Sequence, residues 1–243
     1  MRTVVATRYV TPLREGGSLP GLVEADDDGM YVCKFRGAGQ GPKALVAEVV
    51  CGELARTLGF AMPELVRLEL DPELARAEPD PEIQDLIRAS AGSNLGVDFL
   101  PGALPFAPTP ETAPGAELAA DVVWFDALIT NVDRTPRNPN LLEWHRRMWL
   151  IDHGAALYQQ HVGTMDPGLR FAAIREHVLL PYASSIAEAD ARLTPQLADG
   201  ALDAAVGEVP QEWLGGTPDY AGYLRARLAE PRGWVEEAED ARA

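Results

Sequence analysis

The hydrophobic pattern of this chain changes period once along its length, and that change limits the folds open to it. Up to residue 70 the apolar segments are short and β-branched or alternating: VVATRYV (4–10), LVEAD (22–26), MYVCKF (30–35) and ELVRLEL (64–70). Gly, Pro and Asp turn signals separate them, so they predict strands. One helix interrupts the series. Pro42 stands where a first-turn proline is tolerated, Val46, Val50, Leu54 and Leu58 recur every four residues, and Gly59 takes the place of a C-cap glycine. This predicts an amphipathic helix over 42–58 packed against a small sheet.

The next stretch, 69–85, holds seven acids against the single Arg76, with three prolines. It predicts a solvated connection leading into a short helix over 80–90. A short apolar strand around Gly96-Val97-Asp98-Phe99-Leu100 then runs into a Pro-rich segment. Beyond that segment the pattern is helical: 116–130, 184–207, 217–229 and a charged stretch from 231. NLLEW and RMWLID, joined at His145-Arg146, predict a hairpin between the first two. The reading is an α+β, bilobed architecture: a small β-rich N-lobe with one helix (1–100), a Pro-rich connection (101–115) and a larger, mainly helical C-lobe (116–243).

Composition excludes several classes of function. Of the 243 residues, 47% are hydrophobic and 24% charged, which rules out wholesale disorder. With 21 Lys and Arg against 37 Asp and Glu the net charge is −16, the wrong sign for a protein held on nucleic acid or an anionic membrane by a basic surface. No apolar run is long enough to span a bilayer, and Arg8 interrupts the N-terminus before a signal-peptide core develops. A cytoplasmic location is the resulting expectation. Cys33 and Cys51 are too few for a disulfide scaffold or a zinc centre and read as reduced, buried residues.

The densest chemical signal lies in 131–154, NVDRTPRNPNLLEWHRRMWLIDHG. Asn138 follows Asp133 by five residues, the spacing between the catalytic aspartate and the metal-binding asparagine of protein kinases. Such a loop presents a carboxylate to an attacking hydroxyl while an amide oxygen just beyond it meets magnesium. Asp152 follows nineteen residues after Asp133, at a strand end before His153-Gly154, where a second carboxylate can bind the same metal. Taken singly, Asp-x-x-x-x-Asn is more often a capped turn or a solvated loop; loop, hairpin and strand-end Asp in this order point to a kinase. Lys34 sits in the apolar strand Tyr31-Val32-Cys33-Lys34-Phe35, and Glu48 falls in the following helix, able to reach back to it. Without the downstream loop, Lys34 would read as a snorkelling edge residue and Glu48 as a solvated one. Gly16, Gly17 and Ser18 lie in a glycine-rich link that can fold over phosphates, whereas Gly37–Lys43 fails as a Walker A loop because Pro42 precedes the lysine and Ala44 replaces Ser/Thr.

With these residues the chain resembles the HipA-like kinases, in a short form lacking the N-terminal subdomain of the longer toxin kinases, from the Gly16-Gly17-Ser18 loop to about Leu180. The resemblance implies a bilobed protein-kinase-like fold that binds ATP and Mg2+ in the cleft between lobes. It implies that Lys34 binds phosphate, Glu48 holds Lys34, Asp133 is the base, and Asn138 and Asp152 bind magnesium. Gly96–Leu100, with Asp98, Phe99 and Leu100, would be the hinge meeting adenine through its backbone. A Ser/Thr of a protein is the implied acceptor, an antitoxin-like or regulatory partner fits the same family, and Ser18 corresponds to a loop serine that such kinases phosphorylate themselves.

Two positions depart from related loops: Thr135 stands where His is common, and His153 replaces the Phe of Asp-Phe-Gly. The Asn-Val-Asp-Arg start also resembles lipid-kinase loops, so a small-molecule or lipid kinase stays open, as does a nucleotide-binding pseudokinase scaffold.

Overall fold

The computed structural model describes residues 1–13, 19–39, 41–161, 163–198, 200–216 and 218–243. The loop residues Gly16, Gly17 and Ser18 lie outside these. Short alternating segments fold as strands: β1 (Thr3–Pro12), β2 (Gly21–Ala25), β3 (Met30–Lys34), β4 (Leu65–Leu70) and β5 (Gly92–Asp98). They close into a barrel in the order β1-β2-β3-β5-β4, with β1 and β4 parallel and the other neighbours antiparallel. Closure leaves the strands no unpaired edge. Gly96 of β5 lies opposite both Cys33 and Val66, and a Cβ there would stand 2.7 Å from Val66 Cγ2, so only glycine lets the neighbouring strands approach.

Helix α1 (Pro42–Thr57) begins at its proline and is followed by Gly59 in the left-handed conformation, φ 80°. Residues 45–52 are all buried, Glu48 among them at 3% exposure. The helix is therefore enclosed on every side there and not amphipathic as the four-residue repeat suggested.

The acidic stretch 69–85 is more ordered than a solvated connection. Leu70 completes β4, and a 3-10 helix spans Pro72–Ala77 with the Asp71 side chain accepting from the Glu73 N–H. Helix α2 (Pro81–Ala89) starts the same way on Asp80. Capping aspartates followed by prolines begin helical turns instead of breaking them. Ala75, Ile83 and Ile87 join the barrel core.

Contacts divide the chain into two compact units, Met1–Val46 with Pro63–Pro101, and Ala47–Met62 with Gly102–Ala243. The boundary after residue 101 adjoins the Pro-rich segment, while most of α1 goes with the second unit. That unit is built on α3 (Ala116–Leu128), buried from Ala119 to Leu128 except at Asp121. Strands β6 (Leu104–Pro105), β7 (Leu141–Trp144) and β8 (Arg147–Leu150) form a small sheet, so the Pro-rich segment contributes an edge strand. Helices α4 (Ile186–Leu193), α5 (Ala201–Gly207), α6 (Tyr220–Leu228) and α7 (Gly233–Arg242) follow, and α4, α6 and α7 pack on α3. The single helix expected over 184–207 is broken, because Pro195 opens a 3-10 turn (Thr194–Leu197) and Gly200 takes φ 88°. Buried Arg227 donates to the Leu128 and Ala127 carbonyls, both at 2.8 Å, and so closes the C-terminus of α3 where the next loop begins. Among the described residues no helix is long and apolar enough to cross a membrane. Cys33 and Cys51 are buried free thiols, and burial raises the proton affinity of each.

Candidate active site

Asp126 breaks the apolar character of α3 and organises the loop that succeeds the helix. Its side chain is wholly buried, accepting from Asn131 Nδ2 on Oδ1 (3.1 Å) and from Arg134 Nε (2.5 Å) and His177 Nε2 (2.9 Å) on Oδ2. Burial alone would raise the carboxyl, but Arg134 and the His177 hydrogen bond outweigh it and hold Asp126 well below the usual carboxylate range. The Arg134 guanidinium continues outward, donating to the Asn140 carbonyl at 2.5 Å and to His153 Nε2 at 3.0 Å. One buried cation thus ties the end of α3 to both ends of the segment that carries the candidate catalytic groups. Because arginine only donates, His153 Nε2 must accept, a role phenylalanine cannot fill.

Asp133 projects from this anchored loop, half-buried. Its N–H donates to Asn131 Oδ1 at 3.1 Å, and its Oδ2 accepts from Asn138 Nδ2 (2.8 Å) and Asn140 Nδ2 (3.2 Å). Both side-chain bonds fall on one oxygen, so among the described residues Oδ1 has no hydrogen-bond partner. A tight turn from Thr135 to Asn138, closed by two backbone hydrogen bonds at 3.1 Å, returns the asparagine to the aspartate. Asn138 spends its amide N–H on Asp133, which leaves its Oδ1, a hard oxygen, as the atom suited to a cation.

Asp152 follows β8 exposed, with φ 56°. The next two backbone N–H groups, of His153 and Gly154, donate to Glu48 Oε2 and Oε1, each at 2.9 Å. The buried helix residue that the sequence assigned to Lys34 fixes the backbone directly after Asp152. Lys34 closes β3 opposite Leu95, Asp98 ends β5, and Phe99 and Leu100 follow it, all in the first unit. The Asp98 N–H donates to the Glu64 carbonyl (2.8 Å) and the Phe99 N–H to the Met30 carbonyl (2.9 Å). Burial raises the Asp98 carboxyl, with nearby Glu64 adding to it.

The sequence reading missed Asp126, Asn131, Arg134, Asn140 and His177. One signal was present: an acid inside the unbroken apolar run VVWFDALI is costly unless a cation meets it. His177 adds a pH dependence. Its Nδ1 accepts from the Leu179 N–H at 3.1 Å, so the proton sits on Nε2, facing Asp126, with Arg134 and His153 beside it. Burial lowers its proton affinity, Asp126 opposes this, and burial wins. Below the unfolded value of about 6.5 the unfolded chain takes up a proton that the folded chain resists, so stability falls; above it the contribution is complete. We expect stability to drop by up to about 1.4 kcal/mol per pH unit below that value, and His177→Gln to flatten the slope. Urea denaturation at about pH 7.5 and about pH 5.5 checks it, and equal slopes in the two proteins would refute it.

The sequence profile of a family described as HipA-like kinase matches residues 7–234. No curated protein matches the chain. Among solved structures, the Golgi casein kinase with Mn and ADP bound is similar over 99% of this chain and 74% of that one, with TM-score 0.56 at 12% identity. A second structure of the Golgi casein kinase covers 99% and 72%, with TM-score 0.55 at 14% identity. At these identities the likeness concerns the fold, which is that of a kinase.

Proposed function

We propose, for a chain that belongs to the HipA-like kinase family and is thereby a kinase, that it transfers the γ-phosphoryl group of ATP to a Ser or Thr hydroxyl of a protein. The observation that carries the reading is the Asp133 carboxylate, held on Oδ2 by Asn138 and Asn140 with Oδ1 left over. Oδ1 takes the hydroxyl proton as the acceptor oxygen bonds to the γ-phosphorus and the bond to the departing ADP breaks. Asn138 Oδ1 and the exposed Asp152 carboxylate suit magnesium, which needs only one or two protein oxygens besides phosphates and water. The bound cation would neutralise charge on the phosphate oxygens. Golgi casein kinase has been seen with Mn and ADP, which favours nucleotide and divalent cation here too.

In this reading Lys34 pairs with phosphate, Glu48 orders Lys34 as well as the backbone after Asp152, and the Gly16-Gly17-Ser18 loop covers the phosphates. Adenine meets the Asp98–Leu100 segment through its carbonyls and the Leu100 N–H, since the Asp98 and Phe99 N–H groups are already used. Incubation with γ-labelled ATP and magnesium tests the proposal, with extracted proteins, lipids and metabolites offered separately. Label in proteins, abolished by EDTA, is expected. Label confined to lipids or metabolites reassigns the acceptor, and nucleotide binding with no transfer leaves a scaffold.

A further inference from the structure

Among the described residues every exposed arginine meets a carboxylate except Arg137, Arg146 and Arg147. In a chain with 37 acids and 21 Lys and Arg, carboxylates are in excess, so an exposed arginine lacking one is the uncommon case. All three belong to the segment that carries the candidate site. Arg137 lies in the Thr135–Asn138 turn of the catalytic loop, and Arg146 and Arg147 lie at the tip of the β7–β8 hairpin. The base of that hairpin is joined to the loop by the Ile151 N–H donating to the Asn140 carbonyl at 3.1 Å. From residue 134 to 151 the sequence offers one acid, Glu143.

The hairpin tip is built against local preference. His145 and Arg146 have φ 51° and 60°, the left-handed pair that a two-residue hairpin turn normally assigns to Asn-Gly. The twist of the hairpin explains the conformation but not a histidine and an arginine in it. The His145 ring stands edge-on to Trp144 at 4.2 Å, and Trp144 packs against Trp149 at 5.2 Å. Arg147 gives one N–H to the Gly59 carbonyl at 3.3 Å, while the Arg146 guanidinium has no hydrogen bond among the described residues. A four-residue strand spans roughly 13 Å, about the length of four residues of extended peptide, and separates the tip from the hairpin base beside Asn140.

We propose that Arg137 and the Arg146-Arg147 tip form a docking surface for an acidic peptide segment, and that the protein acceptor is a Ser or Thr flanked by Asp and Glu. This rests on the protein-kinase reading of the site. Three cations on a strongly acidic chain are too few to hold a nucleic-acid backbone at physiological salt, so an acidic peptide is the better match.

The test uses the full chain and fluorescence anisotropy, and needs no turnover. The probes are a labelled peptide of about twelve residues with a serine among Asp and Glu, and its counterpart with Asn and Gln. Wild type is expected to bind the acidic peptide about tenfold more tightly at physiological salt. Arg146→Glu should remove that preference and Arg88→Glu, on α2, should keep it, with melting curves confirming that both are folded. Equal affinity of wild type for the two peptides, or a full preference in Arg146→Glu, would overturn the proposal. So would a single-stranded oligonucleotide that displaces the acidic peptide more strongly than the unlabelled peptide does. If the kinase reading alone were wrong, the binding preference would persist while phosphate transfer to both peptides was absent.

Discussion

Asp133→Asn is expected to leave the fold and the affinity for ATP close to wild type while turnover falls about 10²- to 10⁴-fold, the usual cost of losing a general base. The carboxamide has the shape of the carboxylate. With its oxygen in the Oδ2 position it accepts the same N–H groups from Asn138 and Asn140, so the turn is kept. Its NH2 then occupies the Oδ1 position and cannot take a proton. Asp152→Asn acts on a different quantity, weakening the attachment of metal and nucleotide. Thermal shifts with ATP and magnesium, read beside phosphate transfer, separate the two. Matching binding defects would merge the roles assigned to Asp133 and Asp152.

The range of each interaction decides how far the sequence made it legible. Strands bounded by turn signals and a helix opened by Pro42 and closed by Gly59 are local statements, and the structure forms them near the expected residues. The turn that brings Asn138 back to Asp133 is equally local, five residues long, and spacing alone pointed to it. The apolar repeat of α1 could not reveal burial on all sides, because Val46, Val50, Leu54 and Leu58 look the same whether or not the opposite face is covered. Glu48 shows the limit again. A lysine fourteen residues away was the visible partner, whereas the backbone of His153 and Gly154 lies more than a hundred residues downstream. Asp126 and His177 escaped for the same reason, since their 51-residue separation carries no periodic signal.

Those buried residues carry the second large effect. Asp126→Asn is expected to destabilise the protein by about 3–5 kcal/mol, a large part of the ~5–15 kcal/mol that holds a typical domain together. Arg134 stays charged in any environment, and its side chain is wholly buried, so removing its partner strands a cation away from water. The His177 Nε2–H and the Asn131 amide lose an anionic acceptor in the same step. If Asp126→Asn proves too unstable to handle, the double variant Asp126→Leu with Arg134→Met gives the answer another way. An apolar pair of similar volume avoids the stranded charge and is expected to recover most of the stability. It cannot recover the ties from Arg134 to the Asn140 carbonyl and to His153 Nε2, which hold the loop bearing Asp133 beside the segment bearing Asp152. Phosphate transfer should therefore stay low in a protein whose urea midpoint has returned toward wild type, because a misplaced base loses rate without loss of fold. A double variant with restored stability and wild-type transfer would show that the pair only fills the core, and the positioning role of Arg134 would have to be abandoned.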